Sequence, residues 1–164
     1  MRVTRAEALR RVRLARVGRM ATITPEGRPH VVPFVFVLIG GDPDLHAYWV
    51  VDRKRKRSRF LRRVENLKAN AAVEFVVDGY DEDWDRLWWV RVSGIGRVVR
   101  SRTERANAIA ALRAKYPQYA ATPPPGPVIG IDIERISGWE ADEISETQYP
   151  GWRGVGPYSR GHAR

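Results

Sequence analysis

Between Arg53 and Arg63 only Ser58, Phe60 and Leu61 are neither lysine nor arginine. At a terminus such a run would be a solvated arm. Here it lies between an apolar segment, residues 45–51, and an amphipathic one, residues 57–70. In the second, Phe60, Leu61, Val64 and Leu67 share one face at the helical period while the arginines take the other. Cations crowded against a helix start add to its free N–H groups and positive dipole end, and all of these favour an anion, phosphate foremost.

The other residues able to do chemistry are few. His30, His46 and His162 are far apart and show no metal-ligand spacing, which reads each as structural or exposed; His30 is the most open to another role, because it lies on a strand expected to line the site. Asp81, Asp83 and Asp85 alternate as calcium ligands can, but the sixth-position Gly and twelfth-position Glu of an EF-hand are missing, so a solvated loop is expected. No G-x-S-x-G, Walker, H-E-x-x-H or G-x-G-x-x-G motif occurs, and Gly94 with Gly96 alone is a weak signal. No catalytic residue and no metal site are therefore assigned. A cationic patch beside an apolar barrel suits a protein that holds a phosphorylated aromatic cofactor and lets the cofactor's ring do the chemistry.

Composition agrees with a single domain in a reducing compartment. The chain has 164 residues, 43% of them hydrophobic, and no cysteine, which removes disulfide, zinc-thiolate and cysteine-nucleophile chemistry. There is no apolar run of membrane-spanning length and no apolar signal segment, so the expectation is a soluble, cytoplasmic protein. The net charge of +10 would draw polyanions at low salt. Yet of the 29 basic residues all but Lys54, Lys56, Lys68 and Lys115 are arginine, a skew that genomic coding bias also produces, and specific nucleic-acid binding stays a remote alternative.

The elements that must position the basic run follow from caps and periodicity. Thr4 with Glu7, and Ser101 with Glu104, have capping-box spacing and predict helices from about residue 5, with Gly18 as a stop, and from about 102 to 115. Strands are expected at 19–24, 29–38, 45–51, 71–77, 88–99 and 128–136, the first two joined as a hairpin through residues 25–28. Gly94 and Gly96 suggest a bulge in the fifth. Ile129, Ile131 and Ile133 should share one face of the last. The expected fold is mainly β with peripheral helices, a six-stranded antiparallel split barrel over residues 1–140, followed at 141–164 by an irregular tail that packs on the barrel or on a partner subunit.

The run RMATITPEGRPHVVP at 19–33 resembles the opening hairpin of the flavin-binding split-barrel proteins related to pyridoxamine 5′-phosphate oxidase. LRRVENLKAN at 61–70 and LWWVRVSG at 87–94 resemble the branch of that family that uses the deazaflavin coenzyme F420, and residues 127–139 resemble its closing strand. The likeness spans about residues 5 to 140, with Ala71 where the family usually has proline.

The resemblance implies a homodimer with two cofactor sites at the subunit interface. It points to Lys54, Lys56, Arg57 and Arg63 for the cofactor phosphate and to the backbone of Val32, Pro33, Val50 and Val51 for the ring. Trp139 is similar to an aromatic residue near that ring. The long basic run suits the anionic polyglutamate tail of F420 better than the single phosphate of flavin mononucleotide, FMN. The activity implied is an F420-dependent oxidoreductase that exchanges hydride between reduced deazaflavin and a small conjugated or quinone-like substrate. The alternatives are a non-catalytic F420-binding or storage protein and an FMN-dependent oxidase. Nothing in the sequence marks a pyridoxamine phosphate substrate.

Overall fold

The computed structural model describes residues 1–51 and 58–141, with backbone alone for 58–61. Lys54, Lys56 and Arg57, and the tail from residue 142, lie outside the described residues. Seven strands, β1 (Gly18–Ile23), β2 (Pro29–Phe34), β3 (Val37–Gly40), β4 (Leu45–Val50), β5 (Ala72–Gly79), β6 (Trp88–Val98) and β7 (Val128–Glu140), form one antiparallel sheet in the order β2-β1-β5-β6-β7-β4-β3. The helices are α1 (Arg5–Leu14), α2 (Ser58–Ala69), α3 (Arg102–Lys115) and α4 (Pro117–Ala121).

The expected strand at 29–38 is two strands, and this corrects the count of six. β2 and β3 occupy opposite edges of the sheet, yet only Val35 and Phe36 separate them. Three chain steps span at most about 11 Å, so the sheet must curl until its two edges meet at this bend. No ladder joins the edges; covalent continuity does. The bend is held from outside by Tyr116, whose hydroxyl accepts the Phe36 N–H at 3.1 Å and lies 2.8 Å from both the Phe36 and Arg16 carbonyl oxygens. Phe34, Phe36 and Phe75 pack behind it with ring centroids 5.0–5.3 Å apart.

Alternation along the strands sorts side chains between two cores. Met20, Phe75, Val90, Val92, Ala47, Trp49, Ile129 and Ile131 fill the barrel interior, with Ile133 partly buried against them. The outward side of β3 and β4 is not solvated: Tyr48, Val50 and Val128 pack with Ala108, Leu112, Tyr116 and Tyr119 of α3 and α4 in a second core. The expected bulge is present as a register shift between Ser93 and Gly94.

Both hydroxyl caps form, Thr4 Oγ1 to the Glu7 amide and Ser101 Oγ to the Glu104 amide, each at 3.3 Å. The Glu7 carboxylate is bound by Arg10 and Arg11 at 2.7 Å each, and Glu104 is bound by Arg97. α1 ends at Leu14 with Ala15 as its C-cap, and Gly18 opens β1 instead of ending the helix. The closing strand extends four residues past the expected 136. No helix among the described residues is long and apolar enough to cross a membrane.

Candidate functional site

α1 and α2 close opposite ends of the barrel. α1 inserts Ala8 and Val12 at the end where β7 finishes, and α2 inserts Leu67 where β6 finishes. A Cβ on Gly96 would lie 2.6 Å from Leu67 Cδ2 and 2.9 Å from Val73 Cγ2, so glycine is what lets α2 sit this deep.

From that seat α2 reaches both walls. Asn66, fully buried, donates from Nδ2 to Thr22 Oγ1 at 2.9 Å and lies 3.5 Å from His30 Nδ1, which ties the helix to the β1–β2 hairpin. Arg63, one turn earlier, places its guanidinium over the Trp49 ring on β4, 5.6 Å from the centroid. The basic residue singled out by sequence is thus held at the barrel end between the hairpin and β4.

Its electrostatic setting is unusual. Arg63 Nε is buried without a hydrogen-bond partner, and no carboxylate pairs with Arg63 among the described residues. Burial alone pushes its pKa below the ordinary arginine value, but a guanidinium remains charged. The indole N–H of Trp49 beneath it is likewise buried and unpaired, and so is Asn66 Oδ1. A buried donor without an acceptor costs about 1–3 kcal/mol, which an arriving anion recovers. Neighbouring Arg62 behaves differently: behind the larger effect of Thr24 and local backbone, it helps hold the Glu26 carboxyl below its usual range.

A second set of charged groups lies on the outer face. Arg97 donates from Nε to Asp132 Oδ2 at 2.9 Å and from Nη2 to Asp132 Oδ1 at 3.0 Å and Glu104 Oε1 at 2.7 Å. His46 Nδ1 lies 2.8 Å from Asp132 Oδ1, and the Tyr48 hydroxyl donates to Glu104 at 2.9 Å. Burial opposes the ionisation of Asp132, but the Arg97 and His46 hydrogen bonds outweigh it and keep its pKa low. The Arg97 hydrogen bond, against burial, does the same for Glu104. Tyr48 is pushed up to about 12 by burial and by Glu104. Every charge here has its counter-charge. In the acidic loop, Asp81 and Asp83 accept the amides of Asp83 and Asp85 at 3.0 and 3.2 Å, forming turns.

The remaining sequence-derived positions divide. Val32 and Val51 are partly buried against the barrel core, on the two walls that α2 bridges. Pro33 points outward and is exposed, and the Val50 side chain belongs to the core beneath α3. Trp139 pairs in register with Trp89 at the α1 end. Along β6 that is seven residues from Gly96, roughly 23 Å from the contact with α2. Within one chain Trp139 and Arg63 are not brought together. Sequence reasoning passed over Thr22, Trp49 and Asn66; a polar residue three positions after Arg63 and next to the apolar Leu67 was the available signal for Asn66.

Residues 4–140 match the family model described as Pyridoxamine 5′-phosphate oxidase. The chain belongs to that family. No curated protein matches it. Among solved structures, this pyridoxamine 5′-phosphate oxidase family chain is similar to an FAD-binding protein from Mesorhizobium loti, with 23% identity over 87% of this chain and 98% of the other and a TM-score of 0.64. It is similar to the FAD-binding protein from Mycobacterium smegmatis, with 19% identity over 87% and 99% and a TM-score of 0.61. The heme storage protein of Vibrio cholerae has the same fold, with 14% identity over 85% and 95% and a TM-score of 0.59. Identities this low establish the family's fold, on which flavin-binding and heme-binding proteins are both built.

Proposed function

We propose that this protein binds coenzyme F420, with FMN as the second choice, and acts as an oxidoreductase on a small conjugated or quinone-like molecule. The observation that carries the reading is Arg63: a half-buried guanidinium over Trp49, without an acid among the described residues, with two buried N–H donors lacking acceptors in one contact. An anion such as a phosphodiester fits that donor set, and a carboxylate-poor setting leaves the charge for the ligand. FAD-binding neighbours on this fold favour a flavin-type ring.

In this reading Arg63 holds the phosphate, and Lys54, Lys56 and Arg57 join it from the preceding segment. Asn66 and Leu67 fix α2 so that Arg63 keeps its place, and the walls carrying Val32 and Val51 flank the ring. Bound deazaflavin supplies hydride transfer; the protein binds it, orients it and keeps water from it.

A homodimer completes the proposal. Outward-facing Val31, Trp89, Ile95 and Trp139 are exposed, Val31 to 62%, on the face of β2-β1-β5-β6-β7. A second copy on this face would bury them and could carry its Trp139 towards the first copy's site, which the separation within one chain otherwise prevents. Light scattering at micromolar concentration should give twice the chain mass; a monomer would remove the two-chain site.

The test of the cofactor is a pair of equilibrium titrations, F420 beside FMN, at moderate salt. Saturable, tighter binding of F420 supports the reading, and binding of neither overturns it. Stopped-flow mixing of the reduced complex with quinones, enones and nitroaromatics then separates an enzyme from a storage protein, since only the enzyme is reoxidised above background.

A further inference from the structure

We infer a separate binding site for a small carboxylate with an apolar body, in the cleft between α2 and the start of α3. The cleft has a volume of about 520 Å³ and is lined by Val64, Leu67 and Lys68 of α2, by Gly96, Arg97 and Val98 of β6, and by Arg100, Ser101 and Glu104. That volume is in the range of sites for small organic molecules.

Its floor is a piece of barrel interior left uncovered. Val98 pairs with Ile129, and Ile129 pairs with Trp49, so the three form one row across the inner face. Ile129 and Trp49 are buried, but Val98 is 38% exposed. α2 seats Leu67 on Gly96, which pairs with Ile131 in the neighbouring row, while Val98 is left exposed. An inward-facing β-branched side chain open to water gives an apolar ligand a surface to bury.

The rim sets the ligand's charge. Lys68 and Arg100 both line the cleft and make no ion pair among the described residues. Glu104 is the acid in the lining, and its carboxylate is already bound by Arg97 at 2.7 Å and Tyr48 at 2.9 Å. Two cations without a counter-charge among the described residues, beside an acid that is already neutralised, select a carboxylate. Arg63 does not line this cleft, so the inference stands independently of the cofactor reading.

The probe is 1-naphthoate, followed by methyl NMR on the full chain, with neutral 1-naphthalenemethanol as control. Saturable shifts at Val64, Leu67 and Val98, and weaker binding of the neutral probe, are expected. Lys68→Ala and Arg100→Ala, both at exposed positions, should each weaken naphthoate about threefold and together about tenfold. Arg63→Ala should leave it unchanged while weakening the cofactor phosphate. Absence of saturable shifts at these methyls, equal affinity for the neutral probe, or unchanged binding by the folded double variant would overturn the inference.

Discussion

Arg63 and Arg97 are both partly buried guanidinium groups on one barrel, and they have opposite surroundings. Arg97 is bound by Asp132 and Glu104, with His46 and Tyr48 completing the chain, and its pKa is raised by those hydrogen bonds. Arg63 has an indole beneath it, no acid among the described residues, and a pKa lowered by burial. Neutralised charge ties α3 to the sheet, whereas charge left without a partner is available to a ligand. A charge count treats the two alike; only the placement of acids separates them.

The comparison can be broken most directly by removing each arginine. Arg63→Ala should weaken phosphate-bearing cofactor by about 1.5–3 kcal/mol, the worth of a charge-assisted contact, while leaving the melting temperature unchanged or higher. Titration and thermal unfolding of the same preparation check both halves. Should the variant lose stability and keep its affinity, Arg63 is a structural residue like Arg97.

Arg97→Ala should do the reverse. It strands Asp132 and Glu104, both only partly exposed, and should lower stability by about 1–2 kcal/mol in urea with cofactor affinity nearly unchanged. Retained stability would show that the network contributes nothing net.

Acid sharpens the same contrast. The folded-state pKa values of Asp132 and Glu104 lie below their ordinary values of 3.8 and 4.5, so their contribution is complete above those values and is lost as pH falls through the folded-state ones. Wild type should lose more stability than Arg97→Ala between about pH 5 and pH 2, while Arg63→Ala follows wild type.

The smallest effect expected is at alkaline pH. Burial, with a lesser push from Arg16, lowers Lys115 to about 8, against an ordinary 10.5. Between those values the unfolded chain binds more protons than the folded one, so stability from this group rises with pH across that window and is flat below it. In Lys115→Met the rise should vanish. Its persistence would assign the rise to other groups.

Much of the fold could be read from residues alone, because helix caps and period-two alternation are local. Thr4 and Ser101 capped where expected, and the glycine pair marked the β6 bulge. The break at Val35 and Phe36 could not be read, since both are apolar and suited to a strand. What breaks the strand is the curl of the sheet, which puts β2 and β3 on opposite edges, and the Tyr116 hydroxyl, eighty residues away in sequence. α4 was missed because Pro117, a favourable first helical residue, follows an unremarkable Tyr116.

The site divides the same way. Arg63 was visible as part of a basic run, but its lack of an acid partner among the described residues was not, because the acids that would neutralise it have no fixed sequence distance. Trp49 was invisible and Asn66 only weakly marked for a related reason: one looks like core strand, the other like helix surface, until α2 is seated against Gly96. The resemblance offers only the backbone of Val50 to a ring, and the side chain faces α3, since alternation assigns it to the opposite side from Trp49 and Val51.

β4, and β7 at its start, have apolar cores on both faces, while β2 is a sheet edge with an exposed outer side. Hydrogen exchange should therefore be graded across a single sheet, with the amides of Ala47, Trp49, Ile129 and Ile131 among the last to exchange and those of β2 among the first. The barrel can then loosen at its hairpin edge, where Asn66 and His30 meet, while the double-sided strands keep the remainder in register. A ligand that stapled α2 to that hairpin would be seen as slowed exchange in β2 with no change in β7.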